Sequence, residues 1–495
     1  MTPRASLLSL ALAVALTSCT PGELPVEDGP LPQRVLLISL DTLRADHTGF
    51  GGYEKPTTPF LDTLAAEGVV FDNHFANSNC TLPSHATMLT GLHYASHGVR
   101  PVGEDEPIRV LPSAAVTLAQ RYQESGFKTA GFTSHGAWLN SDYGFDRGFD
   151  HFESGWVDAE DIMDGYLRWI EQEAPERSFV FLHFFDIHSD SAQRGPCLPY
   201  RSTPALVEEF AGERPAGFTG CSQKWERRDG KESCASNYLK DVSNKLEPLP
   251  DEHRDYLVGL YDAGIRRLDD QLRDFFAELE ALGQLANTLV VITADHGESF
   301  GEHGTMLHDT HHDEVAKVPL IVKLPSTSGV SHRRISALTQ STDLAATMLD
   351  LCGLEPIGQV PSLAPAIMLG EEPADGLVLF HSHILIGRDA GGEYKMVKVG
   401  ARKPPVFYDR DADPEERHNL IEQEGYRKDN QQRLVGIFKQ LDEENARSRE
   451  ILASLEALED GEGGSLSPER IAELKALGYL GGGPEGDAAA EPPRD

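Results

Sequence analysis

The chain is 495 residues long and 40% of them are hydrophobic, which is enough to bury a large core. It carries 44 Lys and Arg against 79 Asp and Glu, a formal net charge of −35. This acidity excludes an electrostatic grip on nucleic acid or anionic lipid, because both are bound through clustered basic side chains. No apolar run reaches the roughly 20 residues of a membrane span, so a multi-span membrane protein is excluded as well.

The first residues have the pattern of a bacterial secretion signal. Arg4 precedes an apolar stretch, residues 7–16, that is too short to span a membrane and leads into Leu-Thr-Ser-Cys with Cys19 last. This ending resembles a lipobox, which predicts a signal peptide over residues 1–18, lipidation of Cys19 and a tether over residues 19–33. The prediction is a membrane-anchored lipoprotein of the bacterial cell envelope that faces the periplasm or the exterior. The alternative is plain secretion with an incidental Cys19.

Three further cysteines crowd into one polar stretch. Cys197, Cys221 and Cys234 lie among Gly, Pro and charged residues. An oxidising compartment favours a disulfide between two of them, but spacing does not select the pair.

Short apolar runs alternate with amphipathic ones. Strands are predicted at residues 35–39, 179–184, 289–293 and 320–322, and helices at 58–67, 115–125 and 261–282. Apolar strands separated by helices indicate an α/β fold whose parallel sheet is covered on both faces. Asp262 and Asp269 lie seven residues apart within the last helix and are expected on its solvated face.

Polar side chains follow three of these strands directly. Asp41 follows the first, Asp186 and His188 follow the second, and Asp295 and His296 follow the third. Ligands of such folds sit beyond the carboxyl ends of the strands, so these groups are expected to converge. Carboxylates with an imidazole suit Ca²⁺, Mg²⁺ or Mn²⁺, with Zn²⁺ as a further candidate.

The motifs around these residues occur in a fixed order. They are SLDTLR at Ser39–Arg44, TLPSHATMLTG at Thr81–Gly91, FFDIH at Phe184–His188, ADHGE at Ala294–Glu298, VPLIV at Val318–Val322 and YDRDADPEERHNL at Tyr408–Leu420. In this order they resemble the sulfatase family of the alkaline phosphatase superfamily. The resemblance implies a mixed, mostly parallel sheet with helices on both faces, plus a small C-terminal antiparallel sheet.

The resemblance also divides the chain. It implies a sulfatase-like catalytic domain over residues 34–375, interrupted by an insertion at 189–240. A C-terminal subdomain follows at residues 376–450. The acidic, Gly-rich composition of residues 451–495 predicts a partly disordered tail.

The nucleophile segment departs from the family pattern Cys-x-Pro-Ser-Arg. Aligning Pro83 and Ser84 puts Thr81 at the nucleophile position, whereas Cys80 is one residue out of register. His85 stands where the machinery that makes formylglycine reads Arg. No formylglycine is therefore expected, and Thr81 is the candidate nucleophile. The alternative role for Thr81, an N-cap of the following helix, is compatible with catalysis.

The resemblance supplies roles for the remaining residues. It implies one divalent metal ion held by Asp41, Thr81, Asp295 and His296, because the paired Asp of many sulfatases is Asp-Thr here. It implies a leaving-group acid at His188. The expected substrate-binding residues are His85 and His308.

The predicted function is metal-dependent hydrolysis of sulfate or phosphate esters on a small molecule, a glycan or a lipid-linked compound. The threonine favours phospho-substrates and the overall resemblance favours sulfates, so both remain open. The alternatives are a phosphodiester or phosphonate monoester hydrolase, a phosphoethanolamine-type transferase acting on the cell envelope, and a non-catalytic binding lipoprotein.

Overall fold

The computed structural model describes residues 31–100, 109–134, 137–189, 198–220, 234–245, 248–357, 361–373, 376–400 and 403–458. Cys19, Cys197, Cys221, the side chain of Cys234 and the tail beyond residue 458 lie outside the described residues. The predictions of lipidation, of a disulfide and of tail disorder therefore stay predictions. In the described ranges, no helix has both the length and the apolar character that crossing a membrane requires.

Fourteen strands are described, and the first ten belong to the larger part of the molecule. They are β1 (Arg34–Leu40), β2 (Val69–Phe75), β3 (Lys128–Ser134), β4 (His151–Gly155), β5 (Ser178–Phe184), β6 (Thr288–Thr293), β7 (Ser299–Phe300), β8 (Met306–Leu307), β9 (Leu320–Lys323), β10 (Arg333–Gln340), β11 (Val378–Phe380), β12 (Ile384–Asp389), β13 (Gly392–Val397) and β14 (Val406–Asp409).

The main sheet has eight strands in the order β10-β2-β9-β6-β1-β5-β3-β4. Seven run in one direction, and β9 alone is antiparallel to both of its neighbours. The mostly parallel sheet that the sequence predicts is therefore confirmed. Strands β6, β1 and β5 are adjacent at the centre, so their carboxyl ends lie side by side.

Thirteen α-helices are described. They are α1 (Pro59–Glu67), α2 (Thr81–Thr90), α3 (Tyr94–His97), α4 (Leu118–Glu124), α5 (Ala159–Glu173), α6 (Pro204–Phe210), α7 (Cys234–Ser243), α8 (Asp251–Ala281), α9 (Asp313–Ala316), α10 (Thr342–Leu351), α11 (Ala364–Leu369), α12 (Tyr426–Asp429) and α13 (Gln431–Glu456).

Helices cover the main sheet on both faces, which explains its apolar strands. In β1, Leu36 and Ile38 join a core cluster with α1, α5 and α8, whereas Val35 and Leu37 join a second cluster with α2, α4 and α10. Because side chains of a strand alternate between faces, a strand buried on both sides must be apolar at almost every position. Strand β1 consequently anchors the site from the centre of the fold.

The C-terminal part is an antiparallel sheet in the order β11-β12-β13-β14, packed on α13. It matches the predicted subdomain in its fold. Two helices follow this sheet, since α12 ends at Asp429 and α13 begins at Gln431.

One expectation about α8 is wrong. Asp262 and Asp269 are 0% and 1% exposed rather than solvated. Asp262 accepts bonds from His47, Tyr53 and Lys55. Asp269 accepts from the first two amides of α1 at 2.8 and 2.9 Å. Both acids hold neighbouring segments in place, because α8 is buried more deeply than its mixed composition indicates.

Candidate active site

The expected convergence at the strand ends occurs. Asp41 follows β1, and its amide donates to the carbonyl oxygen of Phe184 at the end of β5. Asp295 and His296 follow β6 on the other side of β1. Oxygen and nitrogen atoms of Asp41, Asp295 and His296 lie within 4.8 Å of one another. We call these three residues the donor group.

The donor group has the chemistry of a metal site. Asp41 Oδ1, Asp295 Oδ2 and His296 Nε2 are buried and have no hydrogen-bond partner among the described residues. His296 Nδ1 donates to the carbonyl oxygen of Gly297 at 2.9 Å, which leaves the lone pair of the neutral ring on Nε2. Buried polar atoms normally have hydrogen-bond partners. Three such atoms that lie together without one fit a site that binds a cation.

A strained turn fixes the two carboxylates. Thr42 has φ of +60°, a conformation that is costly for a β-branched residue. This turn directs the Thr42 amide at Asp295 Oδ1, 3.3 Å away. The hydroxyl of Tyr261 on α8 donates to the Thr42 carbonyl at 2.6 Å and holds the turn from outside. The bond from Thr42 thus ties the end of β1 to the residues after β6.

The two carboxylates are electrostatically frustrated. Burial and the neighbouring charge of Asp295 raise the pKa of Asp41 well above its usual range. Burial also opposes ionisation of Asp295, but the nearby His296, with smaller contributions from other histidines, lowers its pKa. In the described part of the chain, the ion-pair partners of both acids are histidines rather than Lys or Arg. Two buried acids in this state favour a divalent cation.

Thr81 is the first residue of α2, and Cys80 occupies the N-cap. Thr81 is therefore not the helix cap that the alternative interpretation assumed. Its Oγ1 lies 3.4 Å from Asp41 Oδ2, next to the donor group and at the positive end of the helix. Burial raises the pKa of the neighbouring Cys80 thiol to about 12, which keeps it protonated.

Two further histidines lie beneath the donor group. His85 is fully buried; its Nδ1 donates to the Thr81 carbonyl at 2.8 Å and its Nε2 meets Ser39 Oγ at 2.9 Å. The structure thus places His85 under the site, and its predicted contact with substrate stays a prediction. His183, on β5, was missed by the sequence analysis, and its ring lies 4.8 Å from that of His85.

His85 and His183 together with Asp295 also lie within the distances of a metal site. Their ring nitrogens, however, already have protein partners, namely Thr81 and Ser39 for His85, and Ser134 and Asp41 for His183. We therefore treat the two histidines as support for the donor group.

His183 forms a hydrogen bond with Asp41. His183 Nδ1 faces the carbonyl oxygen of Ser134 at 3.1 Å, and a carbonyl can only accept. Burial lowers the pKa of His183 to about 4, so the neutral ring turns a lone pair on Nε2 toward Asp41 Oδ2 at 3.2 Å. Burial and the charge of Asp295 raise the pKa of Asp41, in the direction of a carboxyl that donates to this nitrogen. This bond orients Asp41 and leaves Oδ1 for the donor group.

Above the donor group, histidines form a row. The ring of His308 lies 4.5 Å from that of His296 and 5.5 Å from that of His188, which stacks on Phe185. His308 follows Leu307, whose φ of +65° is a second strained position. Burial alone would lower the pKa of His308, but the Glu298 carboxylate, 3.9 Å away, raises it to about 9. A cationic imidazole thus faces the site.

The structure therefore brings together Asp41, Thr81, Asp295, His296, His188 and His308. Asp186 does not join them, because its carboxylate pairs with Arg267 of α8 at 3.0 Å.

The chain resembles known proteins along most of its length. A family model described as Sulfatase matches residues 33–354. An arylsulfatase of Clostridium perfringens is 22% identical and covers 79% of this chain and 91% of its own. An N-acetylglucosamine-6-O-sulfatase of Bacteroides thetaiotaomicron is 24% identical, covering 88% and 90%. The solved structure of a phosphonate monoester hydrolase of Agrobacterium radiobacter has a TM-score of 0.63 at 20% identity, covering 83% and 96%.

Proposed function

Because this chain belongs to the sulfatase family and is a sulfatase-like ester hydrolase of the alkaline phosphatase superfamily, we propose that it cleaves sulfate or phosphate esters with Thr81 as nucleophile beside one divalent metal ion. The observation that carries this proposal is the position of Thr81 Oγ1, at the start of α2 and 3.4 Å from Asp41 Oδ2.

Asp41, Asp295 and His296 would hold the metal, with Thr81 as a fourth ligand. A divalent cation there would act as a Lewis acid toward the ester and lower the pKa of the Thr81 hydroxyl. The candidates remain Ca²⁺, Mg²⁺, Mn²⁺ and Zn²⁺, because the donor group combines carboxylates with an imidazole. The orphaned atoms of the donor group support this assignment.

The other residues of the site handle charge and protons. Helix α2 directs its first amides and its positive end at the group that Thr81 attacks. His308, cationic below about pH 9, faces the same point and offsets negative charge on the ester. His188, stacked on Phe185, is the candidate that protonates the leaving oxygen.

The chemistry of a threonine nucleophile limits the class of ester that the enzyme can cleave. A formylglycine hydrate releases sulfate by collapse of a hemiacetal, whereas an ester on threonine must be attacked by water or by another acceptor. We therefore expect no formylglycine at Cys80. A second candidate function, hydrolysis of phosphodiesters or phosphonate monoesters, is favoured by this threonine. A phosphoethanolamine-type transferase would use the same intermediate with a different acceptor.

The substrate is proposed as a small-molecule, glycan or lipid-linked ester. The curated relatives include sulfatases named for sulfated sugars, such as N-acetylglucosamine 6-O-sulfate. The N-terminal sequence supports a lipid anchor at Cys19 and a place in the bacterial cell envelope.

The test is a trapped intermediate. The chain from residue 20 onward is incubated with a slow aryl phosphate and, separately, an aryl sulfate, and the adduct is located by peptide mass spectrometry. A phosphoryl or sulfuryl group on Thr81 supports the proposal and names the ester class, whereas T81A should form no adduct. Formylglycine at Cys80 with an unmodified Thr81 would overturn it.

A further inference from the structure

The nucleophile loop, residues 76–80, joins β2 to α2 and ends immediately before Thr81. Its contacts run to the C-terminal sheet. The turn between β11 and β12 contains His381, whose amide donates to the Asn77 carbonyl at 2.8 Å. His381 Nε2 lies 3.0 Å from Ser78 Oγ and 3.4 Å from the Asn79 amide. His381 therefore contacts three consecutive residues of the nucleophile loop, Asn77 through its amide and Ser78 and Asn79 through its ring.

The hydrogen bonds define the state of His381. The Asn79 amide can only donate, so Nε2 carries a lone pair and the ring is the neutral Nδ1–H tautomer. Ser78 Oγ then donates to the same nitrogen. Phe380 and Tyr94 hold the ring in place at centroid distances of 4.8 and 4.9 Å. The acceptor atom is fixed by packing rather than by chance rotation of an exposed side chain.

Backbone strain marks the same residue. His381 has φ of +53°, in the left-handed region that most side chains avoid. Such conformations persist where the surrounding structure determines them and cluster at functional sites. Here the strain directs the imidazole at the nucleophile loop.

The contact continues into the loop of His308, residues 308–312, which joins β8 to α9. Asn79 Nδ2 donates to the carbonyl oxygen of His308 at 2.7 Å. Ser84 Oγ on α2 donates to the Ser78 carbonyl at 3.0 Å, which ties the loop to the helix that carries the nucleophile. A continuous chain of hydrogen bonds thus links His381, the nucleophile loop and the backbone of His308.

We propose that His381 is a positioning residue, supplied by the C-terminal sheet, that fixes the nucleophile loop against the loop of His308 through the acceptor on its Nε2. The inference rests on the proposed role of Thr81. It assigns the C-terminal sheet a part in the chemical step, because displacement of a nucleophile by an ångström is enough to slow it.

The test compares three full-length variants with aryl phosphate and aryl sulfate. H381N keeps a residue that tolerates positive φ but is too short to place an acceptor at the Nε2 position. H381Q places its side-chain oxygen near that position. H383N is the matched control in the same turn, where the His383 carbonyl bonds within the C-terminal sheet to Lys398.

We expect H381N to lower kcat by about 10- to 100-fold with KM within about twofold, H381Q to recover most of kcat, and H383N to resemble the wild type. Equal kcat in H381N and wild type would overturn the proposal. So would a loss that H381Q does not restore, or a loss that H383N shares.

N79A provides a second measurement should H381N fold poorly. It removes the bond to His308 without touching the C-terminal sheet, and we expect the same fall in kcat at unchanged KM; wild-type turnover would overturn the proposal. Because Cys80 ends this loop and Thr81 follows it directly, these rate comparisons test His381 whichever of the two carries the adduct. Failure of the Thr81 assignment is therefore seen separately, in the trapping experiment.

Discussion

Two clusters of buried acids in this molecule are compensated in opposite ways. Where the C-terminal sheet meets α9, Asp313 and Glu416 surround Lys395, which is 0% exposed and bonds both at 3.0 and 2.7 Å. Arg410 adds a bond to Glu416 at 3.1 Å. Burial would raise the pKa of Asp313, but Arg410 and Lys395 hold it far below its usual range. These acids have their cations built into the chain.

Among the residues that the structure describes, the donor group has no such Lys or Arg beside it. Asp41 and Asp295 contact histidines, and each leaves one buried oxygen without a hydrogen-bond partner among the described residues. Removing the cation from a buried ion pair is strongly destabilising. Two buried acids without a cationic side chain therefore persist only where they have a function, such as binding a metal ion. The comparison teaches that burial of acids does not by itself mark a site. What marks a metal site is a group of buried acids that has no Lys or Arg partner among the described residues.

The largest effect should come from the donor group. We expect D295N to lower turnover of aryl esters by at least about 10³-fold, more than the 10- to 100-fold typical of residues around a metal ligand. After removal of metal by chelator, its Tm should equal or exceed that of wild type, because one buried charge is gone. D442N, on the exposed face of α13, controls for the substitution. Turnover above a tenth of wild type would contradict the comparison.

The charged cluster should show the reverse pattern. K395M leaves Asp313 and Glu416 short of a cation, and we expect it to lower the free energy of unfolding by about 3–5 kcal/mol. Activity per folded molecule should change little. K398M is the matched control, since Lys398 pairs with Asp442 at the surface and such pairs contribute about 0–1 kcal/mol. Denaturant unfolding measures the free energy of unfolding of both variants. Equal losses in K395M and K398M would contradict the prediction that the buried cluster depends on its cation.

His183 tests how far the donor group extends. It bonds Asp41 Oδ2, so we expect H183Q to weaken metal affinity by about 10- to 100-fold. Titration of stripped protein with Mn²⁺, followed by thermal shift, reports the affinity without relying on turnover. H74Q changes a buried histidine on β2, bonded to Thr339, and should leave affinity unchanged. Unchanged affinity in H183Q would confine the donor group to its three members.

Asp343 lies between the two clusters in how its buried carboxyl is compensated, and its substitution should have the smallest effect. Burial raises its pKa to about 7, although it accepts a bond from the Gln340 amide at 2.8 Å. A carboxyl with a raised folded pKa favours the native state at low pH and loses that contribution as pH rises through about 7. D343N should match wild type near pH 4 and exceed its Tm by about 1–3 °C at pH 8. A difference that does not vary with pH would contradict this assignment.

The sequence predicts the donor group because it lies where parallel strands end. Asp41, Asp295 and His296 each follow a recognisable apolar run, and topology brings such ends together. His183 lies inside a run, and a single imidazole among apolar residues of β5 carries no local signal. Its register partner on the neighbouring strand β1 is Ser39, which is also a polar residue within an apolar run. When two predicted central strands each contain one polar residue, the two residues are therefore worth testing as neighbours in the sheet.

The errors have a common cause. Asp262 and Asp269 were expected in solvent because helical periodicity reports polarity, not depth. Their partners, at Lys55 and the start of α1, are more than 200 residues away in sequence. The direction of β9 has no signal in its apolar composition, and pairing with β2 and β6 decides it. Long-range contacts determine all of these features.

The bond between the Thr42 amide and Asp295 spans 253 positions of the chain. Closing a loop of that length costs conformational entropy before any native contact offsets it, which makes such pairings slow to form. Most of the catalytic domain must therefore be assembled before the two carboxylates meet. Metal capture should be a late event of folding, and it should report on the completed sheet rather than guide its assembly.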